Sequence, residues 1–109
     1  MKNLHMSRSD RRWWEWSFTF KDADGNPVPG VLCEASFDGK LTWVPADTTA
    51  GTHRWMVAGP DYDQDEPGMP PLPDDVGLVP LAESLDPWVR AIEPFEVEAF
   101  QPGSIIIKD

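Results

Sequence analysis

Aromatic and polar residues alternate along residues 14–21, and this pattern constrains the fold more than any other feature of the chain. One side of an extended strand here would carry four large rings, from Trp14, Trp16, Phe18 and Phe20. A period of two in β-favouring residues predicts a half-buried strand with one aromatic face. Such a face has to be covered by another apolar layer, so we expect an all-β fold built around a shared core.

Further extended segments follow, separated by residues that favour turns. They are 31–37, 41–44, 52–58, 95–100 and 104–108. Asp38-Gly39 predicts a two-residue hairpin turn, and Pro102-Gly103 predicts a turn that closes a final hairpin. The only predicted helix is short, over residues 87–92, with Asp86 as its N-cap. The expected fold is therefore a small antiparallel β-sandwich or barrel with one short helix and a long proline-rich loop.

The length and composition favour one small domain. The chain has 109 residues and a single cysteine, Cys33, so no disulfide can form within it. We expect a flexible basic leader over residues 1–10 and a single β domain over residues 11–109. No membrane-length apolar run and no secretory signal are visible, which predicts a cytoplasmic protein or one assembled into a particle.

Charge is distributed unevenly along the chain, whose formal net charge is −10. Residues 1–21 contain five basic and two acidic side chains, whereas the remaining residues contain four basic and seventeen acidic ones. The acidic body would repel a phosphate backbone, so we expect it to bind no nucleic acid. The excess of acidic residues fits three roles, namely docking of a basic partner, mimicry of a phosphate backbone, and solubility alone.

Residues 60–80 form an acidic proline-rich segment that is too long for an ordinary connection in a compact domain. Proline restricts the free segment, which lowers the entropy lost when it binds in extended form. We therefore predict a surface that binds another protein or a second copy of this chain. Its candidate residues are Asp61, Tyr62, Asp63, Asp65, Glu66, Met69, Leu72, Asp74 and Asp75. The alternative is a loop wrapped over its own core.

Catalytic and metal-binding signals are weak. Three aspartates at alternate positions from Asp61 begin like an EF-hand loop, but Glu66 occupies the position that requires glycine. We expect no metal, no cofactor and no enzymatic activity, and the alternative for the metal is a weak, irregular calcium site in this loop. A small hydrolase acting through Cys33 and His53 remains an alternative, and it requires the two side chains to be in contact.

The stretch Phe18-Thr19-Phe20-Lys21-Asp22-Ala23-Asp24-Gly25-Asn26-Pro27-Val28-Pro29-Gly30-Val31 resembles the opening of transthyretin-like and carboxypeptidase-regulatory-like β-sandwich modules. In these modules a strand ends in Asp-x-Asp-Gly-x-Pro-hydrophobic-x-Gly and the next strand follows at once. The resemblance covers residues 16–44. Residues 43–51 lack the second Asp-x-x-Gly turn of many such modules. The chain also ends in Ile105-Ile106-Ile107-Lys108-Asp109 instead of the Tyr-Arg-Gly-Ser of the related hydrolases.

This resemblance implies a non-catalytic module that acts through protein contacts, as in bacterial secretion-system effectors and phage tail components. We therefore expect a protein-binding, structural or adaptor module whose docking element is the segment 60–80. The alternative is an acidic inhibitor or immunity protein that blocks a basic site on a toxin or a nucleic-acid-binding enzyme. The two hypotheses predict different salt dependence, because the affinity of an inhibitor bound through carboxylates would fall steeply as the salt concentration rises.

Overall fold

The computed structural model describes residues 3–72, 76–93 and 96–108. Within these ranges the chain forms strands and no helix, which confirms the all-β prediction. The strands are β1 (Leu4–Ser7), β2 (Arg11–Trp16), β3 (Leu32–Ser36), β4 (Val44–Pro45), β5 (His53–Ala58), β6 (Leu78–Pro80), β7 (Trp88–Glu93), β8 (Val97–Phe100) and β9 (Ile105–Lys108).

The strands are arranged in three sheets, and not all pairs are antiparallel. The sheets have the orders β1-β9, β2-β5-β6 and β4-β3-β7-β8. Two pairs, β1 with β9 and β5 with β6, are parallel, so the prediction of a purely antiparallel fold is wrong. Parallel pairing requires a long connection. The segment after β5 provides one for β6, which occupies the last residues of the predicted loop 60–80.

The core draws side chains from all three sheets, and the predicted aromatic face of β2 lies within it. Its buried members are Met6, Trp14, Val31, Cys33, Ala35, Trp55, Val57, Leu81, Val89, Ala91 and Ile105. Trp14 is only 2% exposed, and its ring contacts those of Trp16, Phe37 and Trp55 at centroid distances of 5.4–5.7 Å. The ring series continues through Phe18 to Phe20, although regular strand pairing ends at Trp16.

Trp13 points to the opposite face of β2 from Trp14 and is covered by a cation. The Arg54 guanidinium lies 3.8 Å from the centroid of the Trp13 ring. Asp47 holds that guanidinium through a contact of 2.8 Å between its Oδ2 and Arg54 Nε. This hydrogen bond is the main reason that the pKa of Asp47 lies below its usual value. The outer tryptophan is thus packed against its own chain.

Residues 87–92, predicted to form a helix, lie in and beside β7 instead. Val89 and Ala91 alternate into the core, and β7 pairs with β3 on one side and β8 on the other. The predicted N-cap, Asp86, has a different role, because its Oδ1 accepts a hydrogen bond from the Ser104 hydroxyl. A capping signal is local, and here burial of a β-branched and aromatic segment between two strands outweighs it.

The predicted hairpin turn at Asp38-Gly39 is wider than two residues. Strand β4 begins only at Val44, which lies opposite Ala35 of β3. Asp38 Oδ1 accepts hydrogen bonds from the Leu41 and Thr42 amides at 3.1 and 2.9 Å. In a tight hairpin these two amides would instead be available for hydrogen bonds between the strands. The Thr42 amide, followed by the Ser36 hydroxyl that donates to the same oxygen, lowers the pKa of Asp38.

Both chain termini differ from prediction. Strands β8 and β9 do not form a hairpin, because β8 pairs with β7 and β9 pairs with β1. Strand β1 lies inside the predicted leader 1–10, so residues 4–7 are part of the fold and not a flexible extension. Met6, which lies opposite Ile107, is only 3% exposed. This apolar contact joins segments about a hundred residues apart, which local patterning does not reveal.

Candidate functional site: the acidic loop and its arginine contacts

Residues 60–72, called the acidic loop below, leave the end of β5 beside the turn that joins β1 to β2. Gly59 N–H donates to the Asp10 carbonyl at 2.9 Å, and Asp61 N–H donates to the Arg8 carbonyl at 2.8 Å. The Arg8 and Asp61 side chains form an ion pair, with 2.9 Å between Nε and Oδ2. The start of the loop is therefore fixed to the N-terminal part of the chain by backbone and side-chain contacts.

The turn that receives the loop is itself held by a carboxylate. Asp10 Oδ2 accepts a hydrogen bond from the Ser7 amide at 2.9 Å and also contacts Arg12 Nε at 3.3 Å. The Ser7 amide is the main cause of a lowered pKa for Asp10. The Asp10 carboxylate thus holds the turn through the Ser7 amide and Arg12 where the loop contacts it.

Arg11 contacts both the first and the last part of the acidic loop. Its Nη1 lies 3.3 Å from Tyr62 Oη, 3.0 Å from Gln64 Oε1 and 3.1 Å from the Pro70 carbonyl oxygen. Gln64 also donates from Nε2 to the Pro70 carbonyl at 2.9 Å, and the Tyr62 hydroxyl donates to Gln64 Oε1. One guanidinium therefore joins the two ends of the loop through three acceptors.

The tip of the acidic loop presents carboxylates to solvent. Asp63, Asp65 and Glu66 are exposed. The tip is shaped by its own backbone, because the Asp65 amide donates to Asp63 Oδ1 at 2.9 Å and Gly68 takes a left-handed φ of 86°. The charged side chains thus lie on a turn whose two flanking segments are held together by the Arg11 contacts.

The structure divides the predicted site residues into three groups. Asp63, Asp65 and Glu66 face solvent, Asp61 and Tyr62 contact Arg8 and Arg11, and Met69 and Leu72 are half-buried. Asp74 and Asp75 lie outside the described residues. In the parts of the chain that the structure describes, no group of three or more His, Cys, Asp or Glu side chains is arranged to hold a metal ion.

Sequence reasoning missed Arg8 and Arg11 as partners of this loop. Both lie in or next to the basic leader that was predicted to be flexible, and a basic leader can pair with the acidic part of its own chain or of another copy. The structure shows the same complementarity within one chain. The excess of basic residues before residue 21 and of acidic residues after it was the available signal, but charge alone does not specify which copy supplies the partner.

Arg11→Ala should release the acidic loop while leaving the sheets intact. Loss of the Arg11 contacts is expected to raise amide hydrogen exchange over residues 62–70 about thirtyfold, since Nη1 has two hydrogens to donate and each hydrogen bond contributes about 1 kcal/mol. Hydrogen exchange with mass spectrometry measures this directly. Arg12→Ala is the matched control, because Arg12 is the neighbouring arginine and contacts Asp10 instead of the loop. Equal exchange in both variants would contradict the assigned role of Arg11.

Cys33 and His53 do not form a catalytic pair. His53 Nε2 lies 2.8 Å from the Val31 carbonyl oxygen, to which it donates, and the imidazole packs against Phe18 and Phe20. Cys33 is 2% exposed, and burial raises the pKa of its thiol to about 11. The thiol therefore stays protonated at neutral pH, which is the wrong state for a nucleophile.

Cys33 should label slowly with a thiol reagent in the folded protein. The raised pKa lowers the thiolate fraction at pH 8 by about a hundredfold relative to an unfolded chain, and burial slows access further. Labelling with Ellman's reagent in buffer and in denaturant measures the ratio. An equal rate in both conditions would contradict the buried thiol. A labelling rate in buffer that is lower for His53→Ala than for the wild type would support a Cys33–His53 pair.

Comparison of the chain with protein-family models, with curated proteins and with solved structures finds no significant match. The resemblance to transthyretin-like modules therefore stays a prediction. No helix long and apolar enough to cross a membrane occurs in the described ranges.

Proposed function

We propose that this protein is a non-enzymatic binding or adaptor module that docks to another protein through the tip of the acidic loop. The observation that carries the proposal is the Arg11 contact with both ends of the loop, together with the exposure of Asp63, Asp65 and Glu66. A loop ordered before binding loses less conformational entropy when it docks. The arginine contacts thus favour a preformed docking surface over a loose solvated tail.

The expected partner presents a basic surface. The three exposed carboxylates of the tip belong to a chain of net charge −10, and such a field accelerates association with a cationic protein. The resemblance of residues 16–44 supports a setting in a bacterial secretion system or a phage particle. We also propose that the two larger sheets pack as a sandwich, which is supported by a core that takes Trp55 from one and Val89 from the other.

The second candidate is an acidic inhibitor that blocks a basic site on a toxin or nucleic-acid-binding enzyme. The grouping of carboxylates on one ordered turn favours it, because such a turn can stand in for phosphates. An inhibitor would be displaced by a nucleic acid that occupies the same basic site, and its affinity would fall steeply with salt. An adaptor held by additional apolar contacts, such as those of Met69 and Leu72, would keep its partner at high salt.

A capture experiment tests the docking surface. The wild type, the variant D63N/D65N/E66Q and the control D24N/E83Q/E98Q would be immobilised and exposed to a bacterial lysate at low and at high salt. Both variants remove three exposed carboxylates and leave equal net charge. We expect a basic protein retained by the wild type and the control but reduced at least about tenfold on the loop variant. Equal retention by both variants would overturn the proposal, and so would retention of no basic protein by the wild type.

Light scattering after size-exclusion chromatography tests whether the partner is a second copy of the chain. Association lost in D63N/D65N/E66Q but kept in the control would place the self-contact at the loop tip. A wild type that stays monomeric in both salts would direct the search to a different protein.

A further inference from the structure

A second candidate binding surface lies on one side of the sheet β4-β3-β7-β8. Val89 and Ala91 of β7 point into the core, so Trp88, Arg90 and Ile92 point to the other side of the sheet. A groove of about 660 Å³ lies on that side, lined by β7, β8 and the turn that follows β3. We call this side of the sheet, together with the turn, the β7 face.

The β7 face exposes apolar side chains at both of its ends. Within the described ranges, the exposed large apolar residues are Leu32, Leu41 and Ile92, and all three belong to this face. Leu41 is 85% exposed and lies in the turn at the Trp88 end of β7, where its amide donates to Asp38 Oδ1. Leu32 and Ile92 lie at the opposite end, because β3 begins beside the last residues of β7. Exposed apolar side chains grouped in this way mark interaction surfaces.

The middle of the β7 face is neutral. Arg90 forms an ion pair with Glu34, its neighbour across β3 and β7. The Arg90 guanidinium also lies 3.8 Å from the centroid of the Trp43 ring. The central charges therefore already have partners within the chain, and an aromatic ring lies beside them.

The unpaired charges of the β7 face lie at its ends and have opposite signs. Lys40 Nζ lies 4.0 Å from the centroid of the Trp88 ring, which places the ammonium group at the same end as Leu41. Glu96 is exposed and lines the groove at the other end, because β8 begins beside Ala91. In the described ranges no ion pair involves Lys40 or Glu96. Each of these two charges thus remains available to a partner.

We propose that two copies of this chain associate through their β7 faces around a two-fold axis. In such a dimer each end of one face meets the opposite end of the other. Lys40 then lies against Glu96 of the second copy, Leu41 packs against Ile92 of the second copy, and both contacts occur twice. A partner of uniform charge would instead meet repulsion at one end. The β7 face shares no residue with the acidic loop, and the proposal does not depend on the function of that loop.

The acidic charge of the chain limits the strength of this dimer. Each copy has a formal net charge of −10, so the two copies repel each other at low salt. At about 0.15 M salt such repulsion is screened beyond about 8 Å, whereas the contacts at the two ends of the face are shorter. We expect a dissociation constant on the order of 10 µM, since a single small sheet face buries less area than a standard interface.

Exchange of the two end charges tests the proposal by sedimentation velocity. Lys40→Glu and Glu96→Lys each place like charges at both contacts, so either variant alone should associate at least about tenfold more weakly than the wild type. An equimolar mixture of the two variants should recover the wild-type affinity, because both contacts of the mixed dimer again join opposite charges. Lys108→Glu and Glu83→Lys are the matched controls, since both residues are exposed and lie outside the β7 face. They should associate as the wild type does, alone and mixed.

Leu41→Ala tests the apolar contact without a change of charge. It should weaken association about tenfold, because it removes the most exposed apolar side chain of the face from the interface. The exposure of Leu41 in the monomer leaves the fold of the variant intact. The loop variant D63N/D65N/E66Q should keep the dimer, which separates the β7 face from the acidic loop.

Several outcomes would overturn the proposal. A wild type that is monomeric at about 0.5 mM would show that the β7 faces do not associate. A mixture of Lys40→Glu and Glu96→Lys that stays as weak as the separate variants would show that these residues do not meet across a two-fold axis. A dimer that is kept in Leu41→Ala but lost in the loop variant would place the self-contact at the acidic loop. A monomeric wild type that still captures a basic protein through the loop would contradict the dimer and leave the proposed function standing.

Discussion

Gly59→Ala should lower the free energy of unfolding by about 3 kcal/mol, because the added methyl group meets fixed backbone. A Cβ at this position would lie 2.3 Å from the Arg8 carbonyl oxygen and 2.8 Å from that of Ser7. Neither atom belongs to a flexible side chain, so the turn over residues 7–10 has to move away from β5. That movement would also break the Gly59–Asp10 and Asp61–Arg8 backbone hydrogen bonds. Urea denaturation followed by tryptophan fluorescence measures the loss.

Gly77→Ala is the matched control for Gly59→Ala. A Cβ at Gly77 meets no atom within 4 Å, and its φ lies outside the left-handed region. Its stability should therefore stay within about 0.5 kcal/mol of the wild type. A Gly59→Ala protein as stable as the control would show that the turn does not lie against the end of β5. The acidic loop would then lose the anchor described above.

Trp14→Ala should destabilise the fold by about 4 kcal/mol, the range expected when a large buried ring is removed. Trp14 lies at the centre of the aromatic cluster, in contact with Phe37 and Trp55. The contacting rings belong to separate segments, so the cavity cannot close by a small local shift. Since small domains are stable by only about 5–15 kcal/mol, this loss should remove between roughly a quarter and most of the stability. Thermal and urea denaturation provide the measurement.

Trp13→Ala provides the comparison for Trp14→Ala, because it removes the same side chain one residue earlier on the other face of β2. Trp13 is half-buried and covered by Arg54, so the expected loss is about 1 kcal/mol. The large difference between neighbouring tryptophans follows from the period-two pattern of the strand. Similar losses in both variants would contradict the assignment of Trp14 to the core and Trp13 to the outer face.

The fold could be predicted from the sequence where a segment is specified by its own residues. The aromatic face that begins at Trp14 and the buried series from Val31 lie where the alternation placed them, and strand β5 (His53–Ala58) was predicted within one residue. The turn at Asp22 also forms as expected, with its Oδ1 accepting from the Asp24 and Asn26 amides. In each case side-chain alternation or turn chemistry acts within a few residues.

Prediction of the site was incomplete because local patterns do not report contacts between distant segments. Acidic and proline residues were sufficient to single out the loop. They could not show that Arg11 binds Gln64 and Pro70, because that contact depends on how β2 and the end of β5 are placed side by side. The position of β2 at the edge of its sheet was equally invisible, since an edge exists only once every strand has its neighbours.

The sequence by itself determined that the chain is all-β, which face of β2 is aromatic, and that a long acidic segment follows β5. These properties follow from period-two burial, turn residues and charge, which act locally along the chain. Only the tertiary structure decided that residues 4–7 join the C-terminal strand, that β7 is not a helix, and that the basic N-terminal residues bind the acidic loop of their own chain. Those outcomes depend on contacts between distant segments, whose energies exceed the local preferences for a flexible leader and a helix cap.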